Sequence, residues 1–235
     1  ITYSTYCQCQ FSRSLEVFMC ILKRMNITKI GHCCLLIKDN GTTILTDPGA
    51  WTTQQNTITG IDIVIITHEH ADHFHIGSVK QILKNNPQAV VVTNSRISEL
   101  LAAENVPATI LENTQKETIQ GITLGGYGTE HAVVYPTIPN VMNTGFLIQD
   151  RFFYPGDAFT NPGVPVEILA MPMMGPWMKL SESIDWVKEL KPKVCIPVHD
   201  GMLNPRPWIY GLPTKLFPEW GIQFDPIEPG ESRDY

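Results

Sequence analysis

The chain has 235 residues, a hydrophobic fraction of 43% and a charged fraction of 17%, with a formal net charge of −6. This is enough apolar material for one large core or two small ones. The mild acidity and the lack of any Lys/Arg block exclude a phosphate-tracking nucleic-acid surface, and no apolar run reaches the length of a bilayer span.

The first 24 residues differ from the rest of the chain. They carry Cys7, Cys9 and Cys20, three of the six cysteines. Their apolar stretch is interrupted by Glu16 and followed, not preceded, by Lys23 and Arg24, which is the reverse of a secretory signal. The expectation is an N-terminal extension, upstream or appended sequence, joined to one domain over residues 25–235, with Met25 as the natural start. The pair Cys7 and Cys9 has no partner pair at zinc-site spacing, and Cys33, Cys34 and Cys195 read as buried free thiols. A reducing, cytoplasmic setting fits this usage.

From Met25 strands alternate with helices. CCLLIK, DNG and TTILT (residues 33–46) form a predicted hairpin around a turn that supplies positive φ. Cys33 and Cys34, as neighbours in a strand, are expected on opposite faces. IDIVIIT (61–67) is a continuous apolar run, as expected of a strand covered on both sides. Helices are predicted over GSVKQILKN (77–85) and ISELLAAEN (97–105), with the strand AVVVT (89–93) between them. Residues 117–128, 143–155 and 166–172 read as strands. SESIDWVKELKP (181–192) reads as a helix with Ser181 as N-cap and Pro192 past its end. KVCIPV (193–198) is the last strand. No linker divides the chain, so the pattern is one α/β domain.

The chemistry-bearing stretch is THEHADH, residues 67–73, directly after the most apolar strand. His68 and His70 are two apart and share a face of an extended segment. Asp72 and His73 follow at the turn and reach toward a second ion. Imidazole and carboxylate at this spacing suit Zn²⁺, Mn²⁺ or Fe²⁺, and burying them without a cation is costly.

At this point the chain resembles the metallo-β-lactamase-fold hydrolases, whose signature is His-x-His-x-Asp-His after a buried strand. The resemblance continues in order through GTEHAVV, YPGDAF and IPVHDG, and spans about residues 26–200. It implies a four-layer αββα sandwich. It also implies two divalent ions, zinc first, with manganese and iron as alternatives. His68, His70 and His131 would hold one ion, Asp72, His73 and His199 the other, and Asp157 would bridge them. ILTDPG supplies Asp47 as the acceptor behind a ligand histidine. Within the superfamily, IGHCCLLIK resembles the compact branch that includes ascorbate-6-phosphate lactonase relatives. That branch usually has a small residue, often Ala or Ser, after Gly-His, and Cys33 and Cys34 depart from it.

The activity so implied is hydrolysis of an ester, lactone or phosphoester bond in a small molecule by a hydroxide shared between two ions. Asp72 is the candidate proton acceptor. His32, placed on the first strand, is the candidate oxyanion donor or general acid, with a structural role as the alternative. His75 reads as an exposed loop residue. Trp177 with Met173 and Met174 reads as core or as a pocket wall. The competing activity is that of the mononuclear-iron persulfide dioxygenases, which keep both first histidines. Partners are expected to be a small-molecule substrate, with neither nucleic acid nor membrane, and with a homo-oligomer left open.

Overall fold

The computed structural model describes residues 24–235. The expectation that an N-terminal extension is separable from the domain falls on residues that, but for Arg24, lie outside the described ones.

Among the described residues, fourteen strands form two seven-stranded sheets. The first sheet contains β1 (Asn26–Gly31), β2 (Cys34–Asp39), β3 (Thr42–Thr46), β4 (Ile63–Ile65), β5 (Val90–Thr93), β6 (Thr109–Ile110) and β14 (Ser232–Asp234), in the order β14-β1-β2-β3-β4-β5-β6. The second contains β7 (Lys116–Ile119), β8 (Ile122–Tyr127), β9 (Gly145–Ile148), β10 (Phe152–Tyr154), β11 (Ile168–Pro172), β12 (Val194–Val198) and β13 (Gln223–Phe224), in the order β13-β12-β11-β10-β9-β8-β7. The helices are α1 (Ile76–Asn85), α2 (Ser95–Ala102), α3 (Leu180–Leu190) and α4 (Arg206–Leu216).

Strand alternation builds the layers. On the inner face of the first sheet, Leu35, Ile37, Ile44, Ile63 and Ile65 meet Phe146, Ile148, Phe152, Ile168 and Ile196 of the second. The intervening residues Cys34, Leu36, Leu45, Val64 and Val91 face outward and are covered by Val79, Ile82, Ile97 and Leu101 from α1 and α2. On the far side, Leu147, Phe153, Leu169, Met171 and Cys195 pack under Ile184, Val187 and Tyr210 of α3 and α4. The result is helix, sheet, sheet, helix, the four-layer architecture expected. Cys33 and Cys34 lie on opposite faces of the first sheet. None of the described helices is long and apolar enough to cross a membrane.

The β2–β3 hairpin turns on Asn40 and Gly41, both at positive φ, as a two-residue turn with the strands' own twist requires. Several local readings are corrected. Strand β1 precedes the predicted hairpin, pairs with β2 and β14, and places His32 in the β1–β2 turn rather than on a strand. The N-cap of α3 is Lys179, whose N–H donates to Glu182 at 2.8 Å, so Ser181 lies inside the first turn. His75 is exposed and outside the helix, as expected, and it caps α1 by accepting from the Ser78 N–H. Helix α4 escapes a pattern reading because Gly211 and Pro213 interrupt it.

Candidate metal centre

The strand ends of both sheets deliver donor groups to one edge. β3 ends into Asp47, β4 into His68–His73, β8 into the loop with His131, β10 into Asp157, and β12 into His199. Gly49 makes the close approach possible: a Cβ there would sit 1.9 Å from the Asp72 carbonyl oxygen. Three of the site's residues have left-handed backbone, His32 (φ 45°), Asp47 (φ 38°) and His199 (φ 53°). Such strain, on the order of 1 kcal/mol or more each, persists where surrounding contacts hold it.

Those contacts are visible. The His199 N–H donates to the His32 carbonyl at 3.2 Å, and the Ala132 N–H to the Asp157 carbonyl at 2.8 Å. Asn143 clips the Asp157 loop from both sides, donating to Pro155 O at 2.9 Å and accepting from the Asp157 N–H at 3.1 Å.

All seven residues expected as ligands converge. Ligand atoms of His68, His70, His131 and Asp157 lie within 4.8 Å of one another, as do those of His32, Cys33, His73 and His199. Asp157 spans the two groups. Its Oδ2 is 3.4 Å from His131 Nε2 and 3.0 Å from His199 Nε2, and its Oδ1 is 3.2 Å from His73 Nε2. Asp72 Oδ2 lies 3.3 Å from His199 Nε2 and 3.7 Å from His73 Nε2. Cys33 stands in the second group without having been expected there; its position beside Gly-His carried no ligand spacing.

Hydrogen-bond accounting assigns the ring protons. Asp47 accepts the Nδ1–H of His73 at 2.7 Å, which leaves His73 Nε2 bare. Thr67 Oγ1 spends its hydrogen on Asp47 at 2.7 Å, so it accepts the His68 Nδ1–H at 3.0 Å and leaves His68 Nε2 bare. The Ala132 carbonyl does the same for His131. His68 Nε2, His131 Nε2 and Asp157 Oδ1 are buried with no hydrogen-bond partner. Bare nitrogens facing carboxylate oxygens repel unless a cation lies between them. At His68 a proton is not that cation, because burial and the neighbouring His73 hold its basicity well below the ordinary imidazole range. Burial alone would raise the Asp157 carboxyl, but His73 and the neighbouring His131 and His199 imidazoles hold it well below the usual carboxylate range. The donor set therefore fits divalent metal.

His32 differs from the others. Its Nδ1 accepts from the Gly201 N–H at 3.0 Å, so the hydrogen sits on Nε2 and donates to Asp72 Oδ2 at 3.1 Å. A further residue with no ligand signal in the sequence is Trp177, whose indole N–H donates to Asp157 Oδ2 at 2.9 Å. Met173 is core and Met174 is exposed. The centre opens into a cavity of about 270 Å³ walled by Trp51, Val134, Pro176, Trp177 and Met202 over His70, Asp72, Asp157 and His199.

Two facing sheets flanked by helices, with histidine and carboxylate donors at their common edge, define a metallo-β-lactamase fold. The model of the beta-lactamase superfamily domain matches residues 26–199, and the chain belongs to that superfamily. Protein Rv0786c of Mycobacterium tuberculosis is 32% identical over 199 residues, covering 82% of this chain and 92% of its own. The UPF0173 metal-dependent hydrolase MJ1163 of Methanocaldococcus jannaschii is 29% identical over 187 residues, 74% of this chain and 83% of its own. Among solved structures, Igni18, a metallo hydrolase from Ignicoccus hospitalis, superposes with a TM-score of 0.73 at 20% identity, covering 90% of this chain and 98% of its own. YhfI from Bacillus subtilis, a metallo-beta-lactamase fold protein, gives 0.69 at 14% identity over 91% and 100%. These likenesses show the fold.

Proposed function

We propose that the protein is a metal-dependent hydrolase that uses two divalent ions, zinc being the first candidate, to cleave an ester, lactone or phosphoester bond in a small molecule. The observation that carries this reading is the bare, buried Nε2 of His68 facing the Asp157 carboxylate, with His131 Nε2 bare beside it. The name of the Methanocaldococcus relative, a metal-dependent hydrolase, agrees.

In this reading His68, His70 and His131 hold one ion, His73, His199 and Asp72 the other, and Asp157 both. When bound, such a pair acidifies a shared water and polarises the substrate oxygen. The chain's own groups do the rest. Asp72 lies at the cavity floor, where it can accept the water's proton. The His32 Nε2–H holds Asp72 in place, so His32 acts through Asp72. The Trp177 indole pins the bridging carboxylate. Trp51, Val134 and Met202 supply an apolar wall, and no Lys or Arg lines the cavity among the described residues. That favours a neutral, carbonyl-centred substrate over a phosphorylated one. The mononuclear-iron alternative would leave the second donor set idle.

The test is metal stoichiometry of the purified protein together with a panel of neutral esters, lactones and phosphodiesters. Two ions per chain, and turnover lost on chelation and restored by zinc, are expected. Full activity in a metal-free preparation would overturn the reading, as would oxygen consumption with a persulfide and a single iron.

A further inference from the structure

We propose that Cys33 is a thiolate ligand of the ion held by His73 and His199. The inference rests on the two-ion reading above and adds a donor that the histidine-aspartate signature does not contain.

The geometry starts at His73 Nε2. Its partner nitrogen has given its hydrogen to Asp47, so Nε2 offers one lone pair. Three donor atoms face that lone pair: Asp157 Oδ1 at 3.2 Å, Cys33 Sγ at 3.5 Å and Asp72 Oδ2 at 3.7 Å. A thiol hydrogen directed at Nε2 would satisfy the nitrogen but leave Asp157 Oδ1 buried and unpartnered. An ion among the four atoms satisfies all of them. A zinc ion with about 2.0–2.1 Å to nitrogen and about 2.3 Å to sulfur, at a tetrahedral angle, separates those two ligands by about 3.5 Å. That is the observed spacing.

The sulfur is held where it is. Cys33 is 1% exposed, and its carbonyl accepts from the Tyr154 hydroxyl at 2.6 Å and from Thr46 Oγ1 at 3.1 Å. In the neighbouring His32, Nδ1 is engaged by Gly201 and Nε2 by Asp72. Binding replaces the S–H bond by a sulfur–metal bond and releases the thiol proton to solvent. The two ion positions are then chemically unequal. One has nitrogen and oxygen donors only, and the other carries a soft sulfur that favours zinc over manganese.

The experiment loads the full chain with cobalt(II) and with zinc and measures metal content in the same samples. Wild type is expected to show a sulfur-to-cobalt charge-transfer band in the near ultraviolet and a sulfur neighbour in zinc X-ray absorption. Both should vanish in Cys33→Ser and persist in Cys34→Ser, whose sulfur lies on the opposite face of the sheet. Cys33→Ser should bind its second zinc at least about tenfold more weakly, since even an outer partner costs that much. Two bound ions with no sulfur signal would overturn the ligand assignment and leave the two-ion centre standing, as would a signal that survives Cys33→Ser. Fewer than two ions in wild type would overturn the two-ion reading itself. If Cys33→Ser fails to fold, Cys33→Ala and the wild-type absorption spectrum decide.

Discussion

Asp47 and His73 are joined by a 2.7 Å hydrogen bond that reaches from the end of one strand to the turn after the next. The same carboxylate accepts from the Thr67 N–H, the Thr67 hydroxyl and the Tyr154 hydroxyl. One buried group thus sets the tautomer of His73 directly and that of His68 through Thr67. Asp47→Asn keeps the shape but brings donors where acceptors are needed. The expected outcome is a loss of about 10–100-fold in metal affinity, read by competition with a chromogenic chelator. Unchanged affinity would show that His73 is oriented by packing alone.

Metal removal should reverse the usual pH preference of stability. In the metal-free protein burial works against a charged His199, yet the Cys33 sulfur and the hydrogen bonds His199 donates to Asp157 and Asp72 outweigh it and raise it to about 11. His73 is raised as well, chiefly by Asp157 once burial is overcome. Both folded values exceed the unfolded one of about 6.5. The stabilisation is therefore complete below about pH 6.5 and is lost as pH climbs through the folded values. Cys33 works the other way. Burial would push its thiol up, but His32, His73 and His199 bring it to about 7, so it adds stability with rising pH. His32 is raised too, against burial, by the Cys33 sulfur and the bond from His32 to Asp72, so it is one group against three. The chelated protein should unfold at a lower denaturant midpoint at about pH 9 than at about pH 6.5, while zinc affinity rises over the same interval because the ion displaces protons. A chelated protein that gains stability over that interval would contradict the assignment.

Trp177 is positioned to steer the bridging carboxylate through its indole N–H. Trp177→Phe retains most of the ring's packing against Phe159 and His131 and removes only the donor. Metal binding should weaken by about tenfold or more, with a small change in thermal midpoint. A large drop in midpoint with affinity intact would make Trp177 a packing residue.

These cases show where sequence reading reached. His68, His70, Asp72 and His73 are legible because one short segment after one strand carries them, and local spacing is what a sequence displays. His131, Asp157 and His199 became legible through the order of motifs. Trp177, Cys33 and the proton assignment of His32 were not, since each depends on which loops the two sheets bring together. Strand β1 was missed because its charged Lys29 breaks the apolar pattern, although that lysine is wholly buried.

His32 has a sharper test now that its bonds are known. His32→Ala removes the acceptor of the Gly201 N–H as well as the donor to Asp72, so it should cost stability and turnover together. His32→Asn suits the left-handed backbone at this position and isolates the donor. It should keep both ions and lower the turnover number by about tenfold or more, with little change in the Michaelis constant. Wild-type turnover in a metal-replete His32→Asn protein would remove His32 from the chemistry.

Lys29 is a buried strap to Asp200, the residue after His199. Its ammonium reaches from β1 in the first sheet to Asp200 Oδ2 at 2.5 Å and the Pro197 carbonyl at 2.9 Å in the second. Both side chains are fully buried, and the Tyr210 hydroxyl donates to the same Asp200 oxygen. Burial lowers the basicity of Lys29 and the Asp200 charge opposes that shift. Lys29→Met fits the space but leaves the buried Asp200 charge only the more distant Arg206, 3.8 Å away, so it should destabilise the fold by about 3 kcal/mol, measured by urea unfolding. Adding Asp200→Asn should recover part of that loss, because that charge is gone. If the double variant is no more stable than Lys29→Met, the pair matters through packing rather than charge. Because Asp200 follows His199, the single variant should also loosen the second ion, seen as zinc lost on dialysis before the protein unfolds.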